Sequence, residues 1–331
     1  MKIKQKHAYF GILIFIILAG AIAYYGHFPK LKASSENNKN ESDRIEWLVD
    51  KNGYLSYPSD RGDVKFNRQN YGVDANISIH KIIYQSRSGN IYGLMILPAT
   101  AAEPLPGVVL LPGAGVSKES ELKLAKKIAS LDAAVLVIDQ RGVGETTGQI
   151  NSIEQDYTDF LGAKEPTQHL MVYDALRAYD LLYSAPFVDP ERIIIAGESL
   201  GGRIAVIAAA IDRNINGVLL ISSAGFDFRD KGDLKKDAFI KSIDSDHYIN
   251  LIAPRKLVMI HNLNDTIIPI ASAINSFSKA QEPKQFILIN ETSCNHGYCD
   301  AMWDELAAAL DYLVGIKPKN TVSVPVGQNT V

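Results

Sequence analysis

The chain has 331 residues, of which 47% are hydrophobic and 21% are charged, so it is long and apolar enough to form a sizeable core. A formal net charge of -3 and the lack of a block rich in Lys and Arg exclude a broad basic surface, and nucleic acid is therefore not an expected partner. The composition is that of a folded protein rather than a disordered one.

The N-terminal residues 1–28 are predicted to be a membrane anchor or a signal segment. Three lysines, Lys2, Lys4 and Lys6, precede an apolar run over residues 8–25. We favour an uncleaved anchor, while the small residues at Ala19 to Ala23 leave a cleaved signal peptide as the alternative. The lysine bias keeps the N-terminus in the cytoplasm, so the catalytic domain is expected on the extracytoplasmic side, or secreted after cleavage.

The rest of the chain divides into a flexible linker at 29–44, a single α/β domain at 45–316 and a flexible tail at 317–331. Residues 44–78 contain many turn formers and predict an irregular segment. The runs 80–85 and 91–97 predict a hairpin. Later strands are predicted at 107–112, 133–139, 192–196, 217–222, 256–261 and 285–289, and helices at 118–131, 167–183, 201–211, 270–279 and 300–314. Such alternation predicts a mostly parallel sheet with helices on both faces, and a catalytic site at the carboxyl ends of the strands.

The segment Gly197-Glu-Ser-Leu-Gly201 fits the Gly-x-Ser-x-Gly pattern between a predicted strand and a predicted helix. In that context glycines on both sides let the strand and the helix approach each other, and Ser199 projects above the sheet as a nucleophile. The backbone amide of Leu200, at the start of the helix, is a candidate oxyanion donor. The alternative is that Ser199 is only a small residue in a tight corner.

A serine nucleophile requires a histidine base and a carboxylate that orients it. The histidines after Ser199 are His247, His261 and His296. We favour His296, because it follows the last predicted strand; His261 ends a buried strand and is expected to be structural. Asp265 follows the strand 256–261 and is the preferred acid over the aspartates of the charged segment 227–246, which are expected to be exposed.

The turn after the strand 107–112 contains two glycines and is expected to supply the second oxyanion donor. Ala114 is the preferred residue, with Gly113 and Gly115 as alternatives. No cofactor or metal is predicted.

Cys294 and Cys299 flank His296 and are the only cysteines of the chain. In an exported protein they form a disulfide or remain free thiols, and the spacing does not decide between the two. A zinc site made of Cys294, His296 and Cys299 is a weaker alternative, because no fourth ligand is evident nearby.

These motifs together resemble the α/β-hydrolase superfamily over about residues 79–314. They are Leu111-Pro-Gly-Ala-Gly115, Asp139-Gln-Arg-Gly-Val-Gly144, Asp189-Pro-Glu-Arg-Ile193, Gly197-Glu-Ser-Leu-Gly-Gly202, the segment around Asp265 and Asn295-His-Gly297. The Asp-Pro-Glu-Arg sequence looks like the prolyl-oligopeptidase-related, dienelactone-hydrolase-like and acetyl-esterase-like branches. The resemblance implies an α/β-hydrolase fold with a small cap or none, and a structural role for Arg141. Asn262 stands where such proteins often have glycine.

The function predicted from these residues is that of a serine hydrolase that cleaves a carboxylic ester through an acyl-enzyme. A peptidase or amidase is the alternative, and a non-catalytic binding protein is a second one. The expected partner is a small ester or a short peptide, in a pocket shaped by the loops 151–166 and 224–248. The aromatic residues of these loops either line that pocket or form a small satellite core: Tyr157, Phe160, Phe226, Phe228 and Phe239.

Overall fold

The computed structural model describes residues 46–99 and 104–316. Its strands are β1 Leu48–Val49, β2 Leu55–Ser56, β3 Phe66–Asp74, β4 Ile77–Ser86, β5 Gly89–Pro98, β6 Leu105–Leu111, β7 Ala134–Ile138, β8 Val188–Glu198, β9 Gly217–Ile221, β10 Lys256–Asn262 and β11 Lys284–Ile289. Its α-helices are α1 Leu122–Ala129, α2 Ile153–Leu161, α3 Thr167–Tyr183, α4 Leu200–Ile211, α5 Leu234–Ser242, α6 Ile270–Lys279 and α7 Trp303–Val314. Short 3₁₀ turns lie at Ser245–His247, Ile249–Leu251 and Asp300–Met302.

Within the described residues, nine strands form one sheet in the order β11-β10-β9-β8-β6-β7-β5-β4-β3. The strands from β11 to β7 pair in parallel, and β5, β4 and β3 extend the sheet by antiparallel pairing. Every residue of β6, β7 and β9 is buried, because helices cover both faces of the central strands. The predicted mostly parallel sheet is confirmed.

Two hydrophobic layers lie on the opposite faces of this sheet. Val109 and Leu111 of β6 pack in one layer with helices α3 and α4, whereas Val108 and Leu110 pack in the other with α1 and α7. This alternation follows from the two-residue period of a strand, which sends successive side chains to opposite faces. The carboxyl ends of the parallel strands therefore meet along one edge, between the two helical layers.

The prediction of an irregular segment over residues 44–78 was wrong. β3 forms there as an antiparallel edge strand, and β1 and β2 form a small hairpin of their own. Eight of the nine residues of β3 are exposed, so the strand lacks the apolar alternation that would mark it in the sequence. Its pairing with β4 rests on backbone hydrogen bonds that no side-chain pattern records.

The two predicted loops 151–166 and 224–248 contain the helices α2 and α5, which the sequence did not reveal. The expectation that the aspartates of 227–246 are exposed was wrong for Asp237 and Asp244, which are buried. Asp244 accepts backbone N–H bonds from Phe226, Phe228 and Asp246 and so holds the segment in place. Carboxylates that order a loop through its backbone amides look, in a sequence, like ordinary surface charges.

Arg141 is a buried structural residue, in agreement with the resemblance. Its Nε and Nη2 atoms donate to the two carboxylate oxygens of Asp174, both at 2.8 Å, and Nη2 also donates to the carbonyl oxygen of Arg87. A bidentate pair of this kind fixes the loop after β7 to helix α3.

No helix among residues 46–99 and 104–316 is long and apolar enough to span a bilayer. The predicted N-terminal anchor at 1–28, the linker at 29–44 and the tail at 317–331 lie outside the described residues.

Candidate active site

Ser199 lies in a sharp turn between the end of β8 at Glu198 and the start of α4 at Leu200. Its backbone has φ 51° and ψ −116°, a strained conformation for a residue with a side chain. The glycines around it are required by close contacts: a Cβ on Gly197 would lie 2.3 Å from the carbonyl oxygen of Gly201, and one on Gly201 would lie 2.1 Å from that of Leu111. The turn therefore has the geometry expected for a nucleophile elbow.

Asp265 and His296 meet at the carboxyl end of β10. Oδ2 of Asp265 lies 2.9 Å from Nδ1 of His296, while Oδ1 accepts the backbone N–H groups of Ile267 at 2.9 Å and Ile268 at 2.8 Å. Burial alone would raise the pKa of Asp265, but the hydrogen bonds from Ile268 and His296 hold it below its ordinary value. The carboxylate is thus ionised and oriented toward the imidazole.

His261 has the surroundings of a structural histidine. It is fully buried at the end of β10, its Nε2 atom lies 2.9 Å from the carbonyl oxygen of Ile268, and burial lowers its pKa. The Asp265 oxygen closest to it is 3.7 Å away. A neutral His261 in this position supports the turn that presents Asp265, in line with the role expected for it.

The loop that carries His296 is held by two constraints. A disulfide joins Cys294 to Cys299 and closes the loop across five positions. The side-chain amide of Asn262 donates to the carbonyl oxygens of Asn295 and Gly297, so it attaches the loop to the end of β10. The disulfide also removes the zinc alternative, because both sulfurs are bonded to each other and are not available as ligands.

A pair of buried glutamates, Glu198 and Glu121, lies behind the loop of His296, and the sequence analysis did not identify it. Oε2 of Glu198 accepts the backbone N–H of Tyr298 at 3.2 Å. Burial raises the pKa of both carboxyls, and the negative charge of Glu198 adds to the rise at Glu121, whose pKa reaches about 8. The two carboxyls are coupled, and their burial and mutual repulsion favour a protonated form of the pair.

Glu198 also connects the histidine loop to the serine turn. The contact with Tyr298 places the loop against the residue that directly precedes Ser199, and a Cβ on Gly297 would lie 2.7 Å from Oε2 of Glu198. Among the residues described, Ser199 and His296 make no direct hydrogen bond. Such bonds are often long in free enzymes and shorten when a substrate binds.

The two predicted oxyanion residues lie beside Ser199. Leu200 is the first residue of α4, where backbone N–H groups have no partner within the helix. A Cβ on Gly113 would lie 3.5 Å from Cβ of Ser199, so the turn that contains Ala114 passes next to the serine. Ala114, Ser199 and Leu200 all line the same cavity.

This cavity has a volume of about 500 Å³ and opens beside Ser199. Both predicted loops contribute to its wall, through Asn151 to Ile153 and through Ala224 to Phe226, and Ile150 lies next to the first of them. The sequence analysis did not identify the remaining lining residues, which are Gln168, Arg203, Ser272 and the segment Ile267 to Pro269. Arg203 lies one helical turn after Ser199, and this spacing was a signal that could have revealed it.

Of the five loop aromatic residues named from the sequence, Phe226 lines the cavity. Tyr157, Phe160 and Phe239 form a satellite core instead, in which the ring centroid of Phe239 lies 5.4 Å from those of Tyr157 and Phe160. His169 packs against Phe239 and Trp47 packs against His169, so both extend this core.

A family model described as acetyl xylan esterase (AXE1) matches residues 59–239, which is more than half of the chain. The uncharacterized protein YfhR of Escherichia coli O157:H7 is 27% identical over 160 residues, which cover 47% of this chain and 51% of that protein. The chain thus spans about half the length of this curated relative.

Two solved structures resemble the chain over most of its length. An acetyl xylan esterase from Paenibacillus sp. R4 has a TM-score of 0.61 at 19% identity and covers 76% of this chain and 88% of its own. Acetyl xylan esterase 1 from Thermoanaerobacterium sp. JW/SL YS485 has a TM-score of 0.61 at 16% identity, with coverages of 76% and 89%. At these identities the likeness shows the fold, which is the predicted α/β-hydrolase fold.

The family match establishes the class of protein more closely than the fold does, because one fold carries many activities. The matched residues include the turn around Ala114 and the serine turn at Ser199. The predicted class, a serine hydrolase of the esterase kind, agrees with this family. The chain belongs to the acetyl xylan esterase (AXE1) family, within the α/β-hydrolase superfamily.

Proposed function

We propose that this protein is an esterase that cleaves a small carboxylic ester. Ser199 is the nucleophile, His296 is the base, and Asp265 is the carboxylate that orients His296. The observation that carries the proposal is the 2.9 Å contact between Asp265 and His296 on a loop that packs against the serine turn. Membership of an esterase family supports an ester, rather than an amide, as the bond that is cleaved.

In this mechanism Nε2 of His296 takes the proton of Ser199 Oγ while the oxygen attacks the ester carbonyl carbon. Asp265 holds Nδ1 and stabilises the imidazolium that forms. The backbone amides of Leu200 and Ala114 bind the oxyanion. The alcohol leaves with the proton from His296, and water then attacks the acyl-enzyme by the same steps and releases the carboxylic acid.

Labelling with a fluorophosphonate probe tests the nucleophile directly. We expect the parent protein to label, Ser199→Ala to lose the label completely, and His296→Ala to label much more slowly. Ser278→Ala is a matched control, because Ser278 is an exposed serine on α6, away from the cavity. A folded parent protein that does not label would contradict the proposal and favour the non-catalytic alternative.

A substrate panel distinguishes an esterase from a peptidase. Short-chain acyl esters and matched aminoacyl amides are assayed with the parent protein and with Ser199→Ala. We expect hydrolysis of the esters, lost in the variant, with a far smaller rate for the amides. Faster cleavage of the amides would replace the esterase by the peptidase alternative.

We also propose that the catalytic domain lies on the extracytoplasmic side of a membrane. The apolar run at residues 8–25 supports this location, and so does the disulfide between Cys294 and Cys299, since disulfides persist mainly in oxidising compartments. External protease added to spheroplasts should degrade the protein in the membrane fraction. Full protection until lysis would place the domain in the cytoplasm.

A further inference from the structure

Arg203 is half-buried, and it differs from four other largely buried arginines of residues 46–99 and 104–316 in having neither an ion pair nor a side-chain hydrogen bond. Its Nη1 atom is buried without a hydrogen-bond partner, and its guanidinium makes no ion pair within residues 46–99 and 104–316. Four other arginines that are largely buried each donate to carboxylates or backbone carbonyls: Arg61, Arg141, Arg177 and Arg255. Withdrawing much of a cation from water without giving it a partner is costly, and its presence here calls for a specific reason.

The guanidinium of Arg203 is part of the wall of the cavity beside Ser199. It is the one charged side chain in the lining formed by the described residues; the other polar residues of that lining are neutral. Its Cζ atom lies 4.3 Å from the ring centroid of Phe226, so the ring covers one face of the planar group. No hydrogen bond within the described residues occupies the N–H groups at the edge of the plane.

The charge of Arg203 is maintained at neutral pH. Burial lowers its pKa to about 10, and the carboxylate that opposes this effect is Asp244. Asp244 is itself occupied by the backbone N–H groups of Phe226, Phe228 and Asp246 and forms no ion pair with the guanidinium. The cavity therefore contains a positive charge that is only weakly compensated.

The position of Arg203 relates this charge to the reacting serine. Its backbone N–H donates to the carbonyl oxygen of Ser199 at 3.3 Å, one turn along α4. Side chains on a helix lean toward its N-terminus, which here is the end that carries Ser199. Residues one turn apart have Cβ atoms roughly 5–6 Å from each other, so an anion bound to Arg203 would lie on the same side of α4 as the reacting serine.

We propose that Arg203 is a substrate-binding residue that selects esters bearing a free carboxylate. The inference rests on the proposed function, because it names the substrate class of the same site. A carboxylate matches the planar fork of a guanidinium in a bidentate arrangement, and a lysine at this position would not reproduce that geometry.

Two esters of the same shape test the proposal. Monoethyl glutarate carries a carboxylate, and ethyl 5-oxohexanoate replaces it with a neutral methyl ketone. We expect a clearly higher kcat/KM for monoethyl glutarate in the parent protein. Arg203→Met should reduce kcat/KM for this ester roughly 10- to 100-fold, mostly through KM, and leave the neutral ester within about twofold. Arg203→Lys should have a kcat/KM for monoethyl glutarate between those of the parent protein and Arg203→Met.

Arg213→Met is the matched control, since Arg213 is an exposed arginine just beyond the other end of α4. It should preserve the preference for the charged ester. Equal kcat/KM values for the two esters in the parent protein would overturn the proposal, and so would an equal loss for both esters in Arg203→Met, which would indicate a structural role.

A binding measurement separates this proposal from the proposed function. Glutaramate has the same carboxylate but an amide in place of the ester, and calorimetry with Ser199→Ala measures its binding without any catalysis. We expect glutaramate to bind to Ser199→Ala and not to the double variant that also carries Arg203→Met. Neutral pentanamide should bind to neither. If the parent protein is not labelled by the fluorophosphonate, the proposed esterase function is refuted. If glutaramate does not bind, the proposed role of Arg203 is refuted while the esterase proposal stands.

Discussion

The buried pair of Glu121 and Glu198 makes a specific prediction about stability and pH. Glu121→Gln keeps the shape of the side chain and a donor toward Glu198, but it removes the ionisable group. Burial and the charge of Glu198 raise the pKa of Glu121 from an ordinary value of 4.5 to about 8. Folding therefore favours the protonated form of Glu121, and ionisation of this side chain destabilises the folded protein.

The size of the effect follows from the two pKa values. The stability that protonated Glu121 provides is fully present below pH 4.5. It is lost progressively as the pH rises from there through the folded pKa of about 8. At about 1.4 kcal/mol for each pH unit, the wild-type protein should lose about 3 kcal/mol of unfolding free energy by pH 7 and about 5 kcal/mol above pH 9, relative to Glu121→Gln.

Urea unfolding of both proteins at about pH 5, 7 and 9 measures this difference. The gap between variant and wild type should be under about 1 kcal/mol at pH 5 and should widen in the stated direction. Glu119→Gln is a control whose pH dependence should have the opposite sign. Burial would raise the pKa of Glu119, but its ion pair with Lys118 lowers it, so ionised Glu119 favours the folded state. The same pH dependence in Glu121→Gln and wild type would refute the reasoning.

Three further predictions concern the supports of the site. Asn262→Ala should lower kcat about tenfold or more at a nearly unchanged KM, because the histidine loop loses its attachment to β10, whereas exposed Asn264→Ala should leave ester kinetics unchanged. Cys294→Ser should lower the free energy of unfolding in urea by about 2 kcal/mol, and dithiothreitol should have the same effect on the wild type but none on the variant. Equal unfolding curves for the wild type and Cys294→Ser without reductant would contradict this prediction. Arg141→Met should cost about 3–5 kcal/mol, because Asp174 is left as an unpaired buried charge, and a loss under about 1 kcal/mol in thermal or urea unfolding would disprove this role.

Much of the site was visible in the sequence because its geometry is local. The turn around Ser199 needs glycine at 197 and 201 wherever a strand runs directly into a helix, so the spacing of these residues is enough to predict it. The strands and helices of the α/β core were also predictable, since they are apolar on both faces or periodic along one. Helices α3 and α6 have the predicted boundaries. The catalytic roles of Ser199, Asp265 and His296 remain predictions.

Other features depend on contacts between distant segments, which no local pattern records. Glu121 precedes α1 and Glu198 ends β8, and only the fold makes them a coupled, buried pair with raised pKa values. In the sequence, Asn262 stands where similar proteins often have glycine. In the structure its side-chain amide donates to two carbonyl oxygens of the histidine loop and so attaches this loop to β10.

The sequence alone determined the parallel core, the serine turn and the order in which the candidate acid and base follow it, because these depend on short-range sterics and apolar periodicity. The tertiary structure alone decided which charges are buried. Asp244 was expected to be exposed, yet it orders a loop by binding its backbone amides. Arg203 was not singled out from the sequence, and the structure places its cation in the wall of the cavity beside Ser199. Burial of a charge is a property of everything packed around it, and the chain's own sequence near that charge carries no record of it.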